Sequence, residues 1–242
     1  MLDLHCHILP GVDDGAKSLD VSLAMARFYA ADGVTHVVAT PHCNRSWRLL
    51  RAEVVPRVAQ LNEAIAAADI PLTVLPGSEI QIVNSTAYRA EYEAGLYCHL
   101  GDRPAFTLLE FNWVARNYPA DAVALVRWLR DRGTTPIIAH PERHEFFVHE
   151  PIRLRKLVDA GAWVQITVDS LLGVNGPMSR EAGEAMLRTY PDAVLASDAH
   201  SMRRCSGLKV GFVLVNDWLG PDREQQLRAN ADRVLTAMTA PG

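Results

Sequence analysis

The chain opens with Met1-Leu-Asp-Leu-His-Cys-His-Ile-Leu-Pro-Gly-Val-Asp-Asp-Gly-Ala16, an apolar stretch that carries two histidines and ends in an acidic turn. Its apolar residues suit a buried strand, which Pro10-Gly11 would end. Side chains two positions apart in a strand point to the same face, so His5 and His7 should face one way and Cys6 the other. Two imidazoles aimed at one point can hold a divalent metal ion. The alternative is that two histidines merely share a partly buried strand.

Length and composition indicate one globular domain over residues 1–242. A single α/β barrel commonly has roughly 200–250 residues. Hydrophobic residues make up 49% of the chain and charged residues 21%, an ordinary globular composition. The net charge of −4 and the pI of about 6.1 argue against nucleic acid as the main partner, because that partner usually requires a basic face.

The chain has no apolar run near the ~18 residues that a membrane span needs, so no membrane insertion is expected. The N-terminus lacks the basic and apolar regions of a signal peptide. The four cysteines, none in a Cys-x-x-Cys pair, are therefore predicted to be reduced thiols of a cytoplasmic protein: Cys6, Cys43, Cys98 and Cys205.

Short apolar strands alternate with helices along the whole chain. After the opening strand, strands are predicted over 36–42, 72–79, 106–111, 135–140, 163–168 and 193–200. Helices are predicted over 19–31, 51–68, 85–94, 120–132, 150–160, 178–189, 207–218 and 222–238. This alternation predicts a parallel sheet with crossover helices, and seven such units favour an α/β barrel. The alternative is an open doubly wound sheet, but no Gly-x-Gly-x-x-Gly turn follows the first strand.

The candidate metal ligands all fall at or just after the carboxyl ends of predicted strands, where the active site of an α/β barrel lies. They are His5, His7, Asp14, His42, Glu79, Glu110, His140, Asp198 and His200. Each could be structural if taken singly; their common placement favours a site of two or three ions. Imidazole and carboxylate ligands favour manganese, iron or zinc. No metal role is predicted for the remaining histidines, which are His36, His99, His144 and His149.

Several motifs resemble the PHP (polymerase and histidinol phosphatase) family: His-x-His, Thr-Pro-His42, Gly-Ser-Glu79, His140-Pro-Glu-Arg143 and Ser-Asp198-Ala-His200. The first eighteen residues more closely resemble the bacterial protein-tyrosine phosphatases of the CpsB/YwqE type, which belong to capsule and exopolysaccharide systems. The resemblance implies a distorted (β/α)7 TIM-like barrel, the PHP fold, holding three divalent ions, usually manganese.

The resemblance also implies how the ligands would be divided among the ions. The first ion would be held by His5, His7, Glu79 and Asp198; Glu79 would bridge to a second ion held with Glu110 and His140; and Asp14, His42 and His200 would hold the third. Asp13 remains an alternative to Asp14, because the spacing does not separate them. Asp169 stands after the sixth strand, where the resemblance leads us to expect a small residue. Its carboxylate could alter the rim of the pocket.

A phosphate monoester is the substrate class that such a centre suits, with attack by a metal-bridged hydroxide. Arg143, Asp198 and His200 are the predicted catalytic residues, and Arg143 is also the preferred phosphate clamp because guanidinium donates two hydrogen bonds. Arg45, Arg203 and Arg204 are further candidates for substrate binding. A cysteine-dependent tyrosine phosphatase is excluded, since no cysteine begins a Cys-x5-Arg motif.

The expected substrate is a phosphotyrosine protein, and the resemblance points to the tyrosine-rich tail of a bacterial tyrosine kinase. The first alternative is a small-molecule phosphatase such as histidinol phosphatase, which would use the same chemistry with a different rim. A second alternative is a catalytically silent module that only binds metal, and a nuclease is disfavoured by the acidic pI.

Overall fold

The computed structural model describes residues 1–240, except for the side chain of Ala115; the last two residues of the predicted domain lie outside this range. The strands are β1 Leu2–Cys6, β2 His36–Ala39, β3 His42–Cys43, β4 Thr73–Pro76, β5 Glu79–Ile82, β6 Phe106–Phe111, β7 Thr135–Ala139, β8 Trp163–Thr167 and β9 Ala193–Ala196. The helices are α1 Leu19–Asp32, α2 Arg51–Ala67, α3 Ser85–Glu93, α4 Ala122–Asp131, α5 Glu145–His149, α6 Pro151–Asp159, α7 Val168–Leu171, α8 Pro177–Thr189, α9 Leu208–Leu219 and α10 Pro221–Thr239.

All the strand pairs are parallel and follow the chain around a distorted barrel. One sheet has the order β1-β2-β4 and the other the order β3-β5-β6-β7-β8-β9. The barrel closes between β1 and the segment after β9, where the Asp198 N–H donates to the carbonyl of His5 and the His7 N–H donates to the carbonyl of Ala199, both at 2.9 Å. The predicted fold class, a distorted α/β barrel with parallel strands, is confirmed.

The second and third predicted strands are each broken in two, which corrects the sequence-based bounds. The predicted strand 36–42 is interrupted at Pro41, which has no N–H to give to a ladder. The predicted strand 72–79 is interrupted at Gly77, where an added Cβ would lie 2.7 Å from Cγ1 of Val38. Glu79 therefore begins β5 instead of ending the third strand, and it pairs in register with His42 of β3.

Three further bounds differ from the prediction. The seventh strand ends at Ala196, so Asp198 and His200 lie in the following loop and not within the predicted strand 193–200. The sixth strand ends at Thr167, and Val168 begins α7. Helix α5, next to the His140 loop, was not predicted. The first two differences shorten a strand at the end where the candidate ligands lie.

The first helix shows why most helix bounds could be predicted closely. The Ser18 side chain accepts a hydrogen bond from the backbone N–H of Val21 at 3.4 Å, which satisfies a free donor at the helix start. Gly33 follows the last turn with a φ of 84°, a conformation that glycine adopts without steric cost. The helix predicted over 19–31 therefore spans Leu19–Asp32.

Helix α10 covers the end of the barrel where the strands begin. Leu2, Phe106 and Trp163, at the starts of three strands, share a buried cluster with Val234 and Met238 of α10. Apolar packing fills this end, so the polar side chains collect at the opposite, carboxyl end of the strands. Among the described residues, no helix is long and apolar enough to cross a membrane.

Candidate metal centre

All nine predicted ligands lie together at the carboxyl end of the barrel. They form four overlapping groups whose ligand atoms lie within 4.8 Å of one another: His7, Asp14, His42 and His200; His5, His140 and Asp198; His5, His7 and Glu79; and His42, Glu79 and Glu110. Four residues, His5, His7, His42 and Glu79, each belong to two groups, so the groups form one continuous centre. The four other histidines are absent from these groups of described residues.

The opening strand brings its two histidines to one point, as its spacing predicts. Nε2 of His5 lies 3.3 Å from Nε2 of His7, and both atoms lie within 3.3 Å of Oδ1 of Asp198. The register of β1 shifts between Asp3 and Cys6, and such bulges re-aim side chains near functional sites. The Cys6 thiol lies on the other side, where it accepts a hydrogen bond from the Tyr29 hydroxyl at 2.9 Å.

The hydrogen bonds of these imidazoles fix which ring nitrogen is free. Oε1 of Gln165 accepts from the backbone N–H of His140 at 3.2 Å, so the atom that faces Nδ1 of His5 at 3.0 Å is an acceptor. Nδ1 of His5 therefore carries the hydrogen. Nδ1 of His7 likewise donates to the Asp13 carboxylate at 2.8 Å. The Nε2 lone pairs of His5 and His7 consequently converge, an arrangement that requires a cation or added protons between them.

The structure separates the two adjacent aspartates of the first loop. Asp13 is buried behind His7, where it accepts from Nδ1 of that ring and from the backbone N–H groups of Gly15 and His42. Asp14 faces the centre, with Oδ1 lying 3.4 Å from Nε2 of His42 and 3.5 Å from Nε2 of His200. Asp14 is thus the ligand candidate of the two, while Asp13 holds the His7 imidazole in its orientation.

Glu79 occupies the middle of the centre. Its Oε1 accepts from Nε2 of His140 at 2.8 Å, and its Oε2 lies 2.7 Å from Nδ1 of His42. Burial alone would raise the pKa of Glu79, but the imidazoles of His5 and His42 outweigh burial and hold the pKa well below its usual range. The side chain is therefore an ionised carboxylate, as a metal ligand must be.

Several buried polar atoms of the centre lack a hydrogen-bond partner among the described residues. They are Oδ1 of Asp14, Nδ1 of His140, and the facing atoms Nδ1 of His42 and Oε2 of Glu79, which lie 2.7 Å apart without hydrogen-bond geometry. Burial, and then repulsion by Glu79, raises the pKa of Glu110, so the two carboxylates oppose each other's ionisation. Buried acceptors without partners and neighbouring carboxylates are both stabilised by cations. The residues present thus fit a divalent-metal centre.

Two ligand candidates have left-handed backbone conformations. His140 has a φ of 33° and Asp198 a φ of 51°, directly after β7 and close after β9. Such angles are costly for a side chain other than glycine and cluster at functional sites, where the surroundings hold them. At both positions the turn directs the side chain of a loop residue back into the centre.

A cleft of about 250 Å³ opens over the centre. Arg143 and Arg204 line it together with Asp14, His42, Glu110, Trp113, His140, Asp198 and His200. Nη1 of Arg143 donates to Oδ2 of Asp198 at 2.5 Å, so its guanidinium lies directly beside the candidate ligands. Arg45 lines a different, neighbouring cavity, and Arg203 is exposed and lines neither. Asp169, in α7, is not among the residues that line the cleft.

Sequence reasoning missed the residues that support the ligands. Gln165 is fully buried in the middle of β8, and a lone polar residue in an apolar strand was the available signal. Trp113 lines the cleft with 47% of its surface exposed, and its ring stacks on His144 at 4.2 Å and on His140 at 5.4 Å. Trp47 stacks on His42 at 5.4 Å. No local pattern in the sequence marks either tryptophan as a neighbour of the metal centre.

A distorted α/β barrel with a cluster of imidazole and carboxylate ligand candidates at its carboxyl end defines a metal-dependent hydrolase type of site. The family model described as "Capsular polysaccharide synthesis, CpsB/CapC" matches residues 1–236. The chain therefore belongs to the CpsB/CapC family, as the resemblance of its motifs predicts.

Individual relatives agree with this membership. The chain is 32% identical to "Tyrosine-protein phosphatase YwqE" of Bacillus subtilis (strain 168), over 99% of this chain and 93% of the relative. It is 31% identical to "Putative tyrosine-protein phosphatase CapC" of Staphylococcus aureus, over 84% of this chain and 78% of the relative. A solved structure described as "Crystal structures of YwqE from Bacillus subtilis and CpsB from Streptococcus pneumoniae, unique metal-dependent tyrosine phosphatases" superposes with a TM-score of 0.91 and 33% identity, covering 99% of this chain and 96% of the other.

Proposed function

We propose that this chain is a metal-dependent phosphotyrosine-protein phosphatase that hydrolyses phosphate monoesters at the centre built around Glu79. The observation that carries the proposal is the convergence of the His5 and His7 lone pairs with the Asp198 and Glu79 carboxylates. The substrate class follows from the relatives named tyrosine-protein phosphatases. The chain would act in the cytoplasm on a bacterial tyrosine kinase of capsule or exopolysaccharide synthesis, at its tyrosine-rich tail.

The nine grouped residues would hold three divalent ions, with manganese the favoured metal and iron or zinc the alternatives. By the resemblance, His5, His7, Glu79 and Asp198 would hold the first ion, Glu79, Glu110 and His140 the second, and Asp14, His42 and His200 the third. In the structure His140 groups with His5 and Asp198, whereas His42 groups with Glu79 and Glu110. His42 would therefore lie close to the second ion as well. Bound divalent ions supply Lewis-acid stabilisation of phosphoryl oxygens and a nucleophilic water at neutral pH.

The chain's own residues would orient the ester and balance its charge. Arg143 is 20% exposed and reaches the cleft beside Asp198, so it would donate hydrogen bonds to the phosphate oxygens. Arg204 lines the same cleft and would add a second positive charge. Asp198 and His200 are predicted as catalytic residues; Nδ1 of His200 donates to the backbone carbonyl of Asp198 at 2.8 Å, which leaves its Nε2 free toward Asp14. Cys6 would take no part, since it is fully buried and faces Tyr29.

Metal content and turnover, measured on the same preparation, test this proposal. Elemental analysis of protein purified without added metal should give about three divalent ions per chain. A phosphotyrosyl peptide should be hydrolysed, a chelator should abolish the reaction, and manganese should restore it. Histidinol phosphate at the same metal concentration should be the poorer substrate; a clear preference for it would replace the proposal with a small-molecule phosphatase.

A variant of the central carboxylate provides the matched test. Glu79→Ala should lose bound metal and turnover together, whereas Glu63→Ala, on the exposed face of α2, should retain both. Wild-type protein that binds metal and hydrolyses no phosphate ester would establish a catalytically silent module instead.

A further inference from the structure

A second cavity shares a wall with the cleft over the metal centre. Its volume is about 420 Å³, against about 250 Å³ for the cleft itself. Within β3, His42 lines the cleft and the next residue, Cys43, lines the second cavity. Gln81 also lines the second cavity, and its Nε2 donates at 2.8 Å to Glu110, which lines the cleft. The two cavities therefore meet at β3 and at the Gln81–Glu110 hydrogen bond.

The second cavity is lined by hydrogen-bonding side chains above an aromatic floor. Tyr88 and Tyr97 form the floor, with stacked rings whose centroids lie 5.0 Å apart. The Asn84 side-chain oxygen caps α3 by accepting from the backbone N–H of Ala87, so its amide nitrogen remains available as a donor. Apolar surface with a few placed polar groups at about 300–1,000 Å³ is typical of ligand sites, and the second cavity falls within that range whereas the cleft does not.

Among the described residues that line the second cavity, the charge left without an ion-pair partner is positive. Arg48 and Glu91 both line it and neutralise each other in an ion pair of 2.8 Å. Arg45 lines it too, is exposed, and makes no ion pair among the described residues. Arg45 lies at the tip of a fixed turn, because the Asn44 carboxamide oxygen accepts from the backbone N–H groups of Ser46 at 2.8 Å and Trp47 at 3.0 Å. The guanidinium is thus presented by a preorganised loop.

We propose that this cavity binds the substrate residues that flank the phosphotyrosine, and that Arg45 selects a segment carrying a carboxylate. The proposal rests on the proposed phosphatase function, since the phosphate itself must lie in the cleft over the metal centre. Successive residues of an extended peptide advance about 3.3–3.6 Å, so the flanking side chains within two or three positions of the phosphotyrosine can reach the cavity. Asn84 and Gln81 would then meet the peptide backbone, and Arg45 an acidic side chain.

Charge reversal at Arg45 tests this inference with three substrates: p-nitrophenyl phosphate and two phosphotyrosyl peptides that carry either glutamates or lysines beside the phosphotyrosine. Wild-type protein loaded with manganese should prefer the acidic peptide in kcat/KM. Arg45→Glu should lower kcat/KM for the acidic peptide at least tenfold, mainly through KM, and should raise kcat/KM for the lysine peptide. Its kcat/KM for p-nitrophenyl phosphate should stay within twofold of the wild-type value. Arg27→Glu, an exposed charge reversal on α1, should change none of the three.

Equal wild-type activity on the two peptides, or an Arg45→Glu effect that is the same for p-nitrophenyl phosphate and peptides, would overturn the inference while leaving the phosphatase function intact. Failure of the wild-type protein to hydrolyse any of the three substrates would overturn the proposed function, and the inference with it. Thermal unfolding of each variant checks that the fold is retained.

Discussion

The side-chain oxygen of Gln165 lies 3.0 Å from Nδ1 of His5 and accepts its hydrogen. The same oxygen accepts the backbone N–H of His140, so one carboxamide holds two strands of the metal centre in register. The Gln165 amide nitrogen donates to Thr167 at 3.3 Å, which keeps the oxygen turned toward the centre. A residue that binds no metal itself thus determines which nitrogen of His5 is free.

Replacing Gln165 should weaken metal binding. Gln165→Leu removes the acceptor, leaves the His140 N–H buried without a partner, and frees the His5 ring; we expect a loss of about 10- to 100-fold in metal affinity or turnover. Titration of metal-free protein with manganese measures the affinity. Gln165→Glu keeps an acceptor at the same place and should retain more affinity than the leucine variant, and Gln60→Leu on the exposed face of α2 serves as the control. Equal affinity of Gln165→Leu and wild type would contradict this role.

Arg143 should act on the substrate more than on the fold. Its guanidinium is held between Asp198 and the ring of Trp113, with the centre of the ring 5.2 Å away. Because lysine keeps the charge and loses the paired donors, we expect Arg143→Lys to lower kcat/KM for a phosphotyrosyl peptide by about 10- to 100-fold, and Arg143→Ala by more. Steady-state kinetics at saturating manganese measure this loss. An Arg143→Lys variant with wild-type kinetics would show that the guanidinium contacts only Asp198.

Trp113 should favour aryl over alkyl phosphates. It is an exposed aromatic side chain on the wall of the cleft, fixed by stacking on His144. Aromatic pairs contribute about 0.5–1.5 kcal/mol beyond burial, so Trp113→Ala should lower kcat/KM for p-nitrophenyl phosphate roughly three- to tenfold. Turnover of a small alkyl phosphate should change less, and Trp113→Phe should restore most of the aryl activity. A loss that is equal for both substrates would mean that Trp113 serves only to hold His140 and His144.

His99 should make the protein less stable in mild acid. Burial lowers the pKa of His99 to about 4, from about 6.5 in an unfolded chain. The charged groups that face it are Asp102, which raises the pKa, and Arg51, which lowers it further. Between pH 6.5 and 4 the unfolded chain takes up a proton that the folded chain does not, so the free energy of unfolding falls as the pH falls.

The loss of unfolding free energy that His99 causes should reach about 2 kcal/mol at pH 4 and vanish above pH 6.5, because partial exposure of the side chain reduces the effect of burial. Urea unfolding between pH 7 and 4.5 measures it. His99→Gln should lose less stability over this window than wild type, and His149→Gln, at an exposed position, should behave as wild type. If the free energy of unfolding falls with pH equally in wild type and His99→Gln, His99 is not the cause of the loss of stability.

The sequence could predict which polar side chains lie together because its signals were strand ends. Parallel strands of one barrel finish at the same end, so His42, Glu110 and His140 could be brought together without knowing any distance. The breaks in the second and third strands were harder to predict. Pro41 and Gly77 are visible in the sequence, but whether such residues end a strand or only interrupt it depends on packing against Val38, which no local pattern encodes.

The sequence could not show which of two adjacent acidic residues in one turn faces the metal centre. Asp13 and Asp14 are chemically identical, and only the folded loop shows that one carboxylate lies behind His7 and the other faces the cleft. Gln165 was missed because its role depends on a hydrogen bond across 160 positions of sequence to His5. Contacts of this kind are set by the assembled barrel and leave no periodic signal in a single strand.

The closure of the barrel has a consequence for the protein without its metal. The hydrogen bonds that join the first strand to the last segment come from His7 and Asp198, whose side chains also face the centre. Bound ions would therefore link the two ends of the fold across the seam, because residues from both sides would bind them. Without the ions, repulsion among the buried carboxylates would loosen that seam first, and its amide hydrogens would be the earliest of the barrel to exchange with solvent. Folding and loading with metal would then be two aspects of a single event, with the N-terminal strand secured only once the centre is filled.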